Sequence, residues 1–280
     1  MQAWPQRMIR HLGRWLLALA CAGHVHVWAQ TTPADAATAV GPVPCGVVLM
    51  HGKWGGANTP LLALLRRQLA SVCQVEMPEM PWSGRRLYDE PYEQALLQIQ
   101  ERVASLRRNG ARWVAVGGQS FGANAALAYM AQQGDIDAVL AIAPGHDPQY
   151  FYTLPDIRSA VDEAQRKVQA GEGTQRMGFT DNNQGQRRSL SVPAQSLWSY
   201  FNPKGLGNMG LSASAFKRPV PLLYVISTRD PLYPSGEMRI YRRAPAHPDS
   251  AMVVVPAGHA DTPDVASTPI LDWVRARTGR

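Results

Sequence analysis

The chain has 280 residues, of which 45% are hydrophobic and 18% are charged, with 24 glycines and 22 prolines. This composition is typical of a globular protein and excludes a largely disordered chain. No run of 18 or more apolar residues occurs, which excludes a multi-span membrane protein and predicts no integral membrane span. The 3 cysteines contain no C-x-x-C pair, which excludes a cysteine-rich zinc module.

The formal net charge is +7 at neutral pH, but the basic residues do not form a nucleic-acid-binding pattern. They occur as dispersed pairs such as Arg66-Arg67 and Arg187-Arg188, with no stripe of interleaved aromatic residues. We therefore expect a mildly basic surface and no nucleic-acid partner.

The first 29 residues have the pattern of an export signal. Arg7, Arg10 and Arg14 precede a short apolar core from Trp15 to Ala22, and a small-residue cleavage site ends at Ala29. The pattern predicts a signal peptide over residues 1–29 and an exported protein, either periplasmic or secreted.

Two further predictions concern Cys21 and residues 30–44. Cys21 raises the alternative of a lipoprotein anchor, which is less favoured because Ala18, rather than leucine, stands three residues before it. Residues 30–44 are rich in threonine, alanine and proline, and this composition predicts a linker without structure of its own.

From residue 45 onward, predicted strands and helices alternate. The apolar patterns predict strands at 46–50, 72–77, 113–116, 138–143, 222–227 and 252–255. Helical patterns cover 60–71, 90–108, 121–132, 237–243 and 265–277. This alternation predicts an α/β fold, with a mostly parallel sheet of about six strands and helices on both faces.

A stretch of about residues 145–218 interrupts the alternation. It contains one predicted helix, 156–170, and then a polar, glycine-rich stretch, so we predict a cap or lid insertion without a strand. Its aromatic segment has two interpretations: Trp198, Tyr200 and Phe201 either line a substrate pocket or anchor the insertion to the core.

A candidate nucleophile lies between the third predicted strand and the helix after it. Gly118-Gln119-Ser120-Phe121-Gly122 is a G-x-S-x-G sequence in the strand-to-helix context that a nucleophile elbow requires. The flanking glycines allow a tight turn that projects the Ser120 hydroxyl above the sheet. Ser120 is therefore the predicted nucleophile.

A candidate base and acid follow the last two predicted strands. A serine hydroxyl needs a base, which His259 would supply, and a carboxylate that orients the imidazole, which Asp230 would supply. The chain order Ser120, Asp230, His259 is the order expected for this arrangement. Asp147, after the fourth predicted strand, remains the alternative acid.

A glycine-rich turn, residues 51–56, follows the first predicted strand. Such a turn can direct a backbone N–H toward the nucleophile, where it would stabilise an oxyanion together with the N–H of Phe121. Lys53 and Trp54 are both candidates for this second donor. We expect His51 to support the turn rather than to act as the base.

With these motifs the sequence resembles the α/β-hydrolase family over about residues 45–278, and we assign residues 45–280 to this domain. The resemblance implies a serine hydrolase in which the following residues form the site: Ser120, His259, Asp230, Lys53, Trp54 and Phe121. One departure is that residues 30–44 are too short and proline-rich for the antiparallel hairpin that usually opens the family's sheet.

The function implied by this resemblance is hydrolysis of a carboxylic ester through an acyl-serine intermediate. The substrate would be a small-molecule or lipid-like ester. An amidase or peptidase with the same triad and a non-catalytic, hydrolase-like binding protein remain alternatives. No H-E-x-x-H sequence, phosphate loop or dinucleotide motif occurs, so we expect neither a metal nor a cofactor.

Cys45 and Cys73 are the cysteines that remain after cleavage of the predicted signal peptide. If the first two strands are parallel neighbours, as the resemblance implies, both cysteines lie at the same end of the sheet, within reach of a disulfide. Export would favour this bond, and two separate buried thiols are the alternative.

Overall fold

The computed structural model describes residues 43–280. The predicted signal peptide, Cys21 and almost all of the predicted linker lie outside the described residues. Among the helices of residues 43–280, none is long and apolar enough to cross a membrane.

Residues 43–280 contain eight β-strands and ten α-helices. The strands are β1 Cys45–Met50, β2 Gln74–Glu76, β3 Trp113–Ser120, β4 Ala138–Pro144, β5 Arg176–Asn183, β6 Gln186–Pro193, β7 Leu222–Ser227 and β8 Ala251–Val255. The α-helices are α1 Ala63–Ala70, α2 Tyr92–Arg108, α3 Phe121–Gln132, α4 Pro148–Phe151, α5 Pro155–Gln169, α6 Ala194–Phe201, α7 Met209–Ser214, α8 Tyr233–Arg239, α9 Thr262–Val265 and α10 Ser267–Thr278.

Six of the strands form one parallel sheet in the order β2-β1-β3-β4-β7-β8. β1, β3, β4 and β7 are almost entirely buried, which explains their continuous apolar sequences. The predicted α/β fold with a six-stranded, mostly parallel sheet is therefore confirmed. The carboxyl ends of these strands lie along one edge of the sheet, which we call the catalytic edge.

Alternate residues of each strand enter two separate cores. In β1, Val48 and Met50 pack on the side of α2 and α3, whereas Val47 and Leu49 pack on the side of α1 and α10. The apolar side chains of residues 145–218, here called the cap, belong to the first of these cores. The cap thus shares a core with the sheet instead of building its own.

The prediction that the cap contains no strand is wrong. β5 and β6 form a two-stranded antiparallel sheet, here called the cap hairpin, which pairs from Arg176↔Pro193 to Asn183↔Gln186. Gln184 and Gly185 both have positive φ, as a two-residue hairpin turn requires. The missed signal is an apolar residue at every second position, Met177 and Phe179 in β5 and Leu190 and Val192 in β6, which are buried in the structure.

Several predicted boundaries also differ from the structure. β3 continues four residues past 116, because Gly117 to Ser120 remain paired with β1 or β4. The helix predicted over 237–243 is instead α8, which begins at Tyr233, followed by a 3₁₀ turn at Tyr241–Arg243. The strand predicted over 72–77 is shorter, since β2 covers only Gln74–Glu76.

A disulfide joins Cys45 and Cys73, whose Cα atoms are 4.7 Å apart. Cys45 opens β1, and Cys73 directly precedes β2, its parallel neighbour in the sheet. The bond therefore lies at the amino ends of these strands, opposite the catalytic edge.

Candidate active site

Ser120 occupies a sharp turn between β3 and α3. Its φ of 57° lies in the left-handed region, which is unusual for a residue with a side chain. A Cβ atom on Gly118 or on Gly122 would lie 2.4 Å from the carbonyl oxygen of Met50, so only glycine fits on either side. This local geometry turns Ser120 out of the strand at the catalytic edge, where it heads a buried helix.

His259 and Asp230 follow β8 and β7, which are adjacent in the sheet. His259 Nδ1 lies 2.6 Å from Asp230 Oδ2, and their side chains are only 11% and 1% exposed. Because a carboxylate only accepts hydrogen bonds, Nδ1 carries the proton and Nε2 is left to accept one. The other carboxylate oxygen, Oδ1, accepts the backbone N–H of Leu232 at 2.8 Å, which fixes the plane of the carboxylate.

Ser120 and His259 both lie beside Gly145, which follows β4. A Cβ atom on Gly145 would lie 2.5 Å from Ser120 Oγ and 3.3 Å from His259 Cε1. The structure thus brings the serine, the histidine and the aspartate close to one another. No direct hydrogen bond joins Ser120 Oγ to the imidazole in residues 43–280, a contact that commonly tightens only when substrate binds.

Asp147, the alternative acid, has other partners. Its Oδ1 accepts the backbone N–H of Gln149 at the start of α4, and its Oδ2 forms an ion pair with Arg239 Nη2 at 2.7 Å. The carboxylate of Asp147 is therefore used to hold the cap, and the geometry favours Asp230 as the partner of the histidine.

The turn of residues 51–56, here called the oxyanion turn, lies directly beside the nucleophile. A Cβ atom on Gly52 would lie 3.1 Å from Ser120 Cβ. The backbone N–H of Trp54 donates to the carbonyl of Trp82 at 2.9 Å, so it is already engaged. The N–H of Lys53 has no acceptor among the described residues. Of the two donors that the sequence left open, Lys53 is thus the one whose N–H is available.

His51 supports this turn with both ring nitrogens. Its Nε2 accepts the backbone N–H of Met80 at 3.1 Å, and its Nδ1 donates to the carbonyl of Gly52 at 2.8 Å. Burial lowers the pKa of the His51 imidazole, which favours the neutral form that these two bonds require. The ring is therefore engaged in holding the turn and is not free to act as a base.

The Lys53 side chain makes a contact that sequence reasoning missed. Its Nζ reaches Asp181 Oδ1 of the cap hairpin at 2.7 Å, and Tyr88 donates its hydroxyl to Asp181 Oδ2 at 2.7 Å. Burial lowers the pKa of the Lys53 ammonium, and the Asp181 carboxylate opposes that shift. One sequence signal for this contact existed. Asp181 follows Met177 and Phe179 at every second position of the same strand, so it lies on the buried face of the hairpin, where a charged residue needs a partner.

The aromatic segment of the cap packs against the core. Tyr200 stacks on Tyr92 with ring centroids 4.9 Å apart and also contacts Tyr88, and both Tyr200 and Phe201 are buried. Trp198 is only partly buried. For Tyr200 and Phe201 the structure therefore agrees with the interpretation that they anchor the cap.

A buried histidine joins the cap to the nucleophile turn. His146 stacks on Phe121 with ring centroids 3.9 Å apart, and its Nε2 is 2.8 Å from the carbonyl of Tyr200. Burial lowers the pKa of the His146 imidazole well below its ordinary value, and the nearby Lys53 charge acts in the same direction. Burial thus favours the neutral form of His146, which packs against Phe121, the residue that follows Ser120.

The chain belongs to the α/β-hydrolase family. The model of the Alpha/beta hydrolase family matches residues 47–268, which include most of β1 and His259. A comparison with curated protein sequences gives no match.

Solved structures with the same fold are distant in sequence. A monoacylglycerol lipase from Paleococcus ferrophilus is 17% identical, with a TM-score of 0.60 over 84% of this chain and 96% of that chain. A soluble variant of the monoglyceride lipase from Saccharomyces cerevisiae is 14% identical, with a TM-score of 0.59 over 84% of this chain and 88% of that chain. The α/β hydrolase GrgF from a Penicillium species is 14% identical, with a TM-score of 0.64 over 86% of this chain and 92% of that chain.

Proposed function

We propose that this protein is a serine hydrolase that cleaves carboxylic esters through an acyl-serine intermediate. The observation that carries the proposal is the meeting of Ser120 with the His259–Asp230 pair around Gly145. A histidine whose Nδ1 is held by a buried carboxylate presents Nε2 as a base, which is what a serine nucleophile needs.

The chemistry follows from these positions. As Ser120 Oγ attacks the ester carbonyl carbon, its proton passes to His259 Nε2, which then gives the proton to the departing alkoxide oxygen. Water hydrolyses the acyl-serine by the same route, with His259 again as base and then as acid. The buried Asp230 stabilises the imidazolium that forms in both steps.

The oxyanion of each tetrahedral intermediate would accept hydrogen bonds from two backbone groups. One is the N–H of Phe121 at the start of α3, and the other is the unengaged N–H of Lys53. Donors fixed in place before the reaction stabilise developing charge without reorganisation, and each contributes about 10²–10³-fold in kcat. The proposed steps need no cofactor.

Ester substrates are favoured because the named relatives with this fold include monoacylglycerol and monoglyceride lipases. An amidase or peptidase would use the same nucleophile and oxyanion donors, so a panel of acyl esters and amides of matched acyl groups separates these activities.

We also propose that the protein is exported: the predicted signal peptide supports this, and the Cys45–Cys73 disulfide would persist in an oxidising compartment.

The test of the function uses Ser120→Ala beside Ser227→Ala. Both serines are buried and end parallel strands of the sheet, and the Ser227 hydroxyl has no partner within residues 43–280. We expect a fluorophosphonate probe to label the unmodified protein and Ser227→Ala but not Ser120→Ala. Ester turnover should fall on the order of 10³-fold or more in Ser120→Ala only. Undiminished turnover in Ser120→Ala would contradict the proposed mechanism.

A further inference from the structure

We propose that Asp181 of the cap hairpin is a positioning residue for the oxyanion hole. It acts through the Lys53 side chain, and it keeps the backbone N–H of Lys53 directed at the position of the substrate oxyanion. This inference rests on the proposed serine-hydrolase function and assigns to the cap a part in the reaction.

The tip of the cap hairpin holds the Lys53 side chain. Lys53 Nζ donates to Asp181 Oδ1 at 2.7 Å and to the carbonyl of Asn182 at 3.0 Å, and the side chains of the ion pair are 3% and 0% exposed. Asp181 is itself fixed, because Oδ1 accepts the N–H of Asn182 and Oδ2 accepts the hydroxyl of Tyr88. The three hydrogen bonds that the Asp181 carboxylate accepts from Lys53, Asn182 and Tyr88 are shorter than 3 Å, which is typical of charge-assisted hydrogen bonds.

The same hairpin tip holds the main chain of Lys53. Asn183 donates its Nδ2 to the Lys53 carbonyl at 3.3 Å, and the N–H of that peptide unit, which belongs to Trp54, donates to Trp82. One peptide unit earlier, the Gly52 carbonyl accepts the N–H of Gly55 and lies 2.8 Å from His51 Nδ1. Because a trans peptide directs its N–H opposite to its carbonyl, these bonds fix where the Lys53 N–H points.

The oxyanion turn has a conformation that requires such support. Trp54 has a φ of 59°, in the left-handed region that side chains disfavour. A buried ammonium is also costly unless it is paired, and here Asp181 pairs it beside the rings of Phe151 and Phe201, 4.4 and 5.2 Å from Nζ. Loss of Asp181 would leave an unpaired charge next to a strained turn, and the turn would move.

The expected kinetic signature is specific, because the oxyanion exists only in the transition state and the intermediates. Asp181→Asn should lower kcat about 10²-fold, as small misplacements in a catalytic site do. KM should stay within about twofold, since ground-state binding is not affected. Asp156→Asn is the matched control, because Asp156 pairs with Arg187 of the same hairpin but both side chains are exposed.

A double-mutant cycle then tests whether Asp181 acts through Lys53. In the Lys53→Met background, adding Asp181→Asn should lower kcat less than about threefold further, because the group through which Asp181 acts is gone. An equal loss in both backgrounds would show that the hairpin acts independently of Lys53 and would overturn the inference. A raised KM with unchanged kcat would also overturn it and would indicate a substrate contact instead.

A milder variant keeps the test valid if Asp181→Asn does not fold. Asn183→Ala removes only the bond to the Lys53 carbonyl, at a partly exposed position, and should lower kcat about 2–10-fold at unchanged KM. An unchanged kcat in that variant would overturn the inference. Failure of the proposed function would look different, since the unmodified chain would then show neither ester turnover nor fluorophosphonate labelling.

Discussion

Two buried polar pairs lie near the nucleophile, and they are assembled differently. His259 and Asp230 are 29 residues apart and follow adjacent strands, so the sheet itself brings them together. Lys53 and Asp181 are 128 residues apart and join the catalytic edge to the cap. The first pair depends on strand order, whereas the second depends on the docking of a hairpin. If the proposed mechanism holds, we expect activity to depend on the cap even though the cap contributes no member of the proposed triad.

The largest expected effect on kcat is at the catalytic edge, where Asp230→Asn tests the His259–Asp230 pair. Asp230→Asn retains the shape of the side chain but removes the charge that stabilises the imidazolium, and it permits the wrong tautomer of His259. We expect kcat to fall about 10⁴-fold with little change in KM, and the folded state to persist in circular dichroism.

The matched control for this prediction is Asp147→Asn. Asp147 is also a carboxylate that follows a strand, but it pairs with Arg239 and caps α4, and it forms no hydrogen bond with His259. Its kcat should stay within about threefold of the unmodified enzyme, because none of its hydrogen bonds involves Ser120, Asp230 or His259. A larger loss of kcat in Asp147→Asn than in Asp230→Asn would indicate that Asp147, which follows β4, is the acid and would contradict the assignment of Asp230.

An intermediate effect is expected at the opposite end of the sheet. The Cys45–Cys73 disulfide closes a loop of 28 residues and lies roughly 16 Å, the length of β1, from the catalytic edge. Cys45→Ser/Cys73→Ser should lower the free energy of unfolding by about 3–4 kcal/mol in the chain-entropy model. Kcat of the folded fraction should not change, which separates stability from activity in a way that the cap variants do not.

Urea unfolding of the double variant measures this loss, and mass spectrometry checks the bond itself. In protein taken from an oxidising compartment and alkylated without reduction, Cys45 and Cys73 should remain unmodified. Two alkylated cysteines would contradict the disulfide and would weaken the proposal of export.

The catalytic edge could be predicted from the sequence because its signals are local. Ser120 lies within a short motif, and Asp230 and His259 each follow an apolar strand whose carboxyl end must lie at the same edge as the others. Parallel strands joined by helices leave few arrangements of the sheet, so strand ends alone place these residues near one another.

The cap could not be predicted in the same way, because its contacts are non-local. The pairing of Lys53 with Asp181 depends on how a hairpin docks, and neither residue has a local pattern that indicates the other. The hairpin itself was missed because its polar, glycine-containing sequence masks the alternation of Met177, Phe179 and Asp181. The choice between Lys53 and Trp54 likewise needed the observation that Trp82 engages the Trp54 N–H.

The smallest expected effect concerns two histidines, one in each region, whose burial favours the neutral form of the imidazole. His51 lies at the catalytic edge and His146 at the start of the cap, and burial lowers the pKa of each below the ordinary value of 6.5. As the pH is lowered through 6.5, the unfolded chain therefore binds more protons than the folded chain, so stability is fully present above pH 6.5 and falls as the pH is lowered. Each histidine should contribute up to about 1.4 kcal/mol per pH unit to the slope.

Urea unfolding at several pH values from 5.0 to 8.0 measures how the free energy of unfolding depends on pH, and His146→Asn tests the contribution of the cap histidine to this dependence. Asparagine is the replacement of choice because it tolerates the φ of 62° at this position better than other residues with side chains. The variant should be less stable at every pH, since it loses the stacking on Phe121, but its stability should change less steeply below pH 6.5, by up to about 1.4 kcal/mol per pH unit. His247→Asn, at a partly exposed histidine, controls for the loss of any imidazole. An unchanged slope in His146→Asn would show that this ring already takes up its proton in the folded state, and the cap would then have no part in the acid sensitivity of the protein.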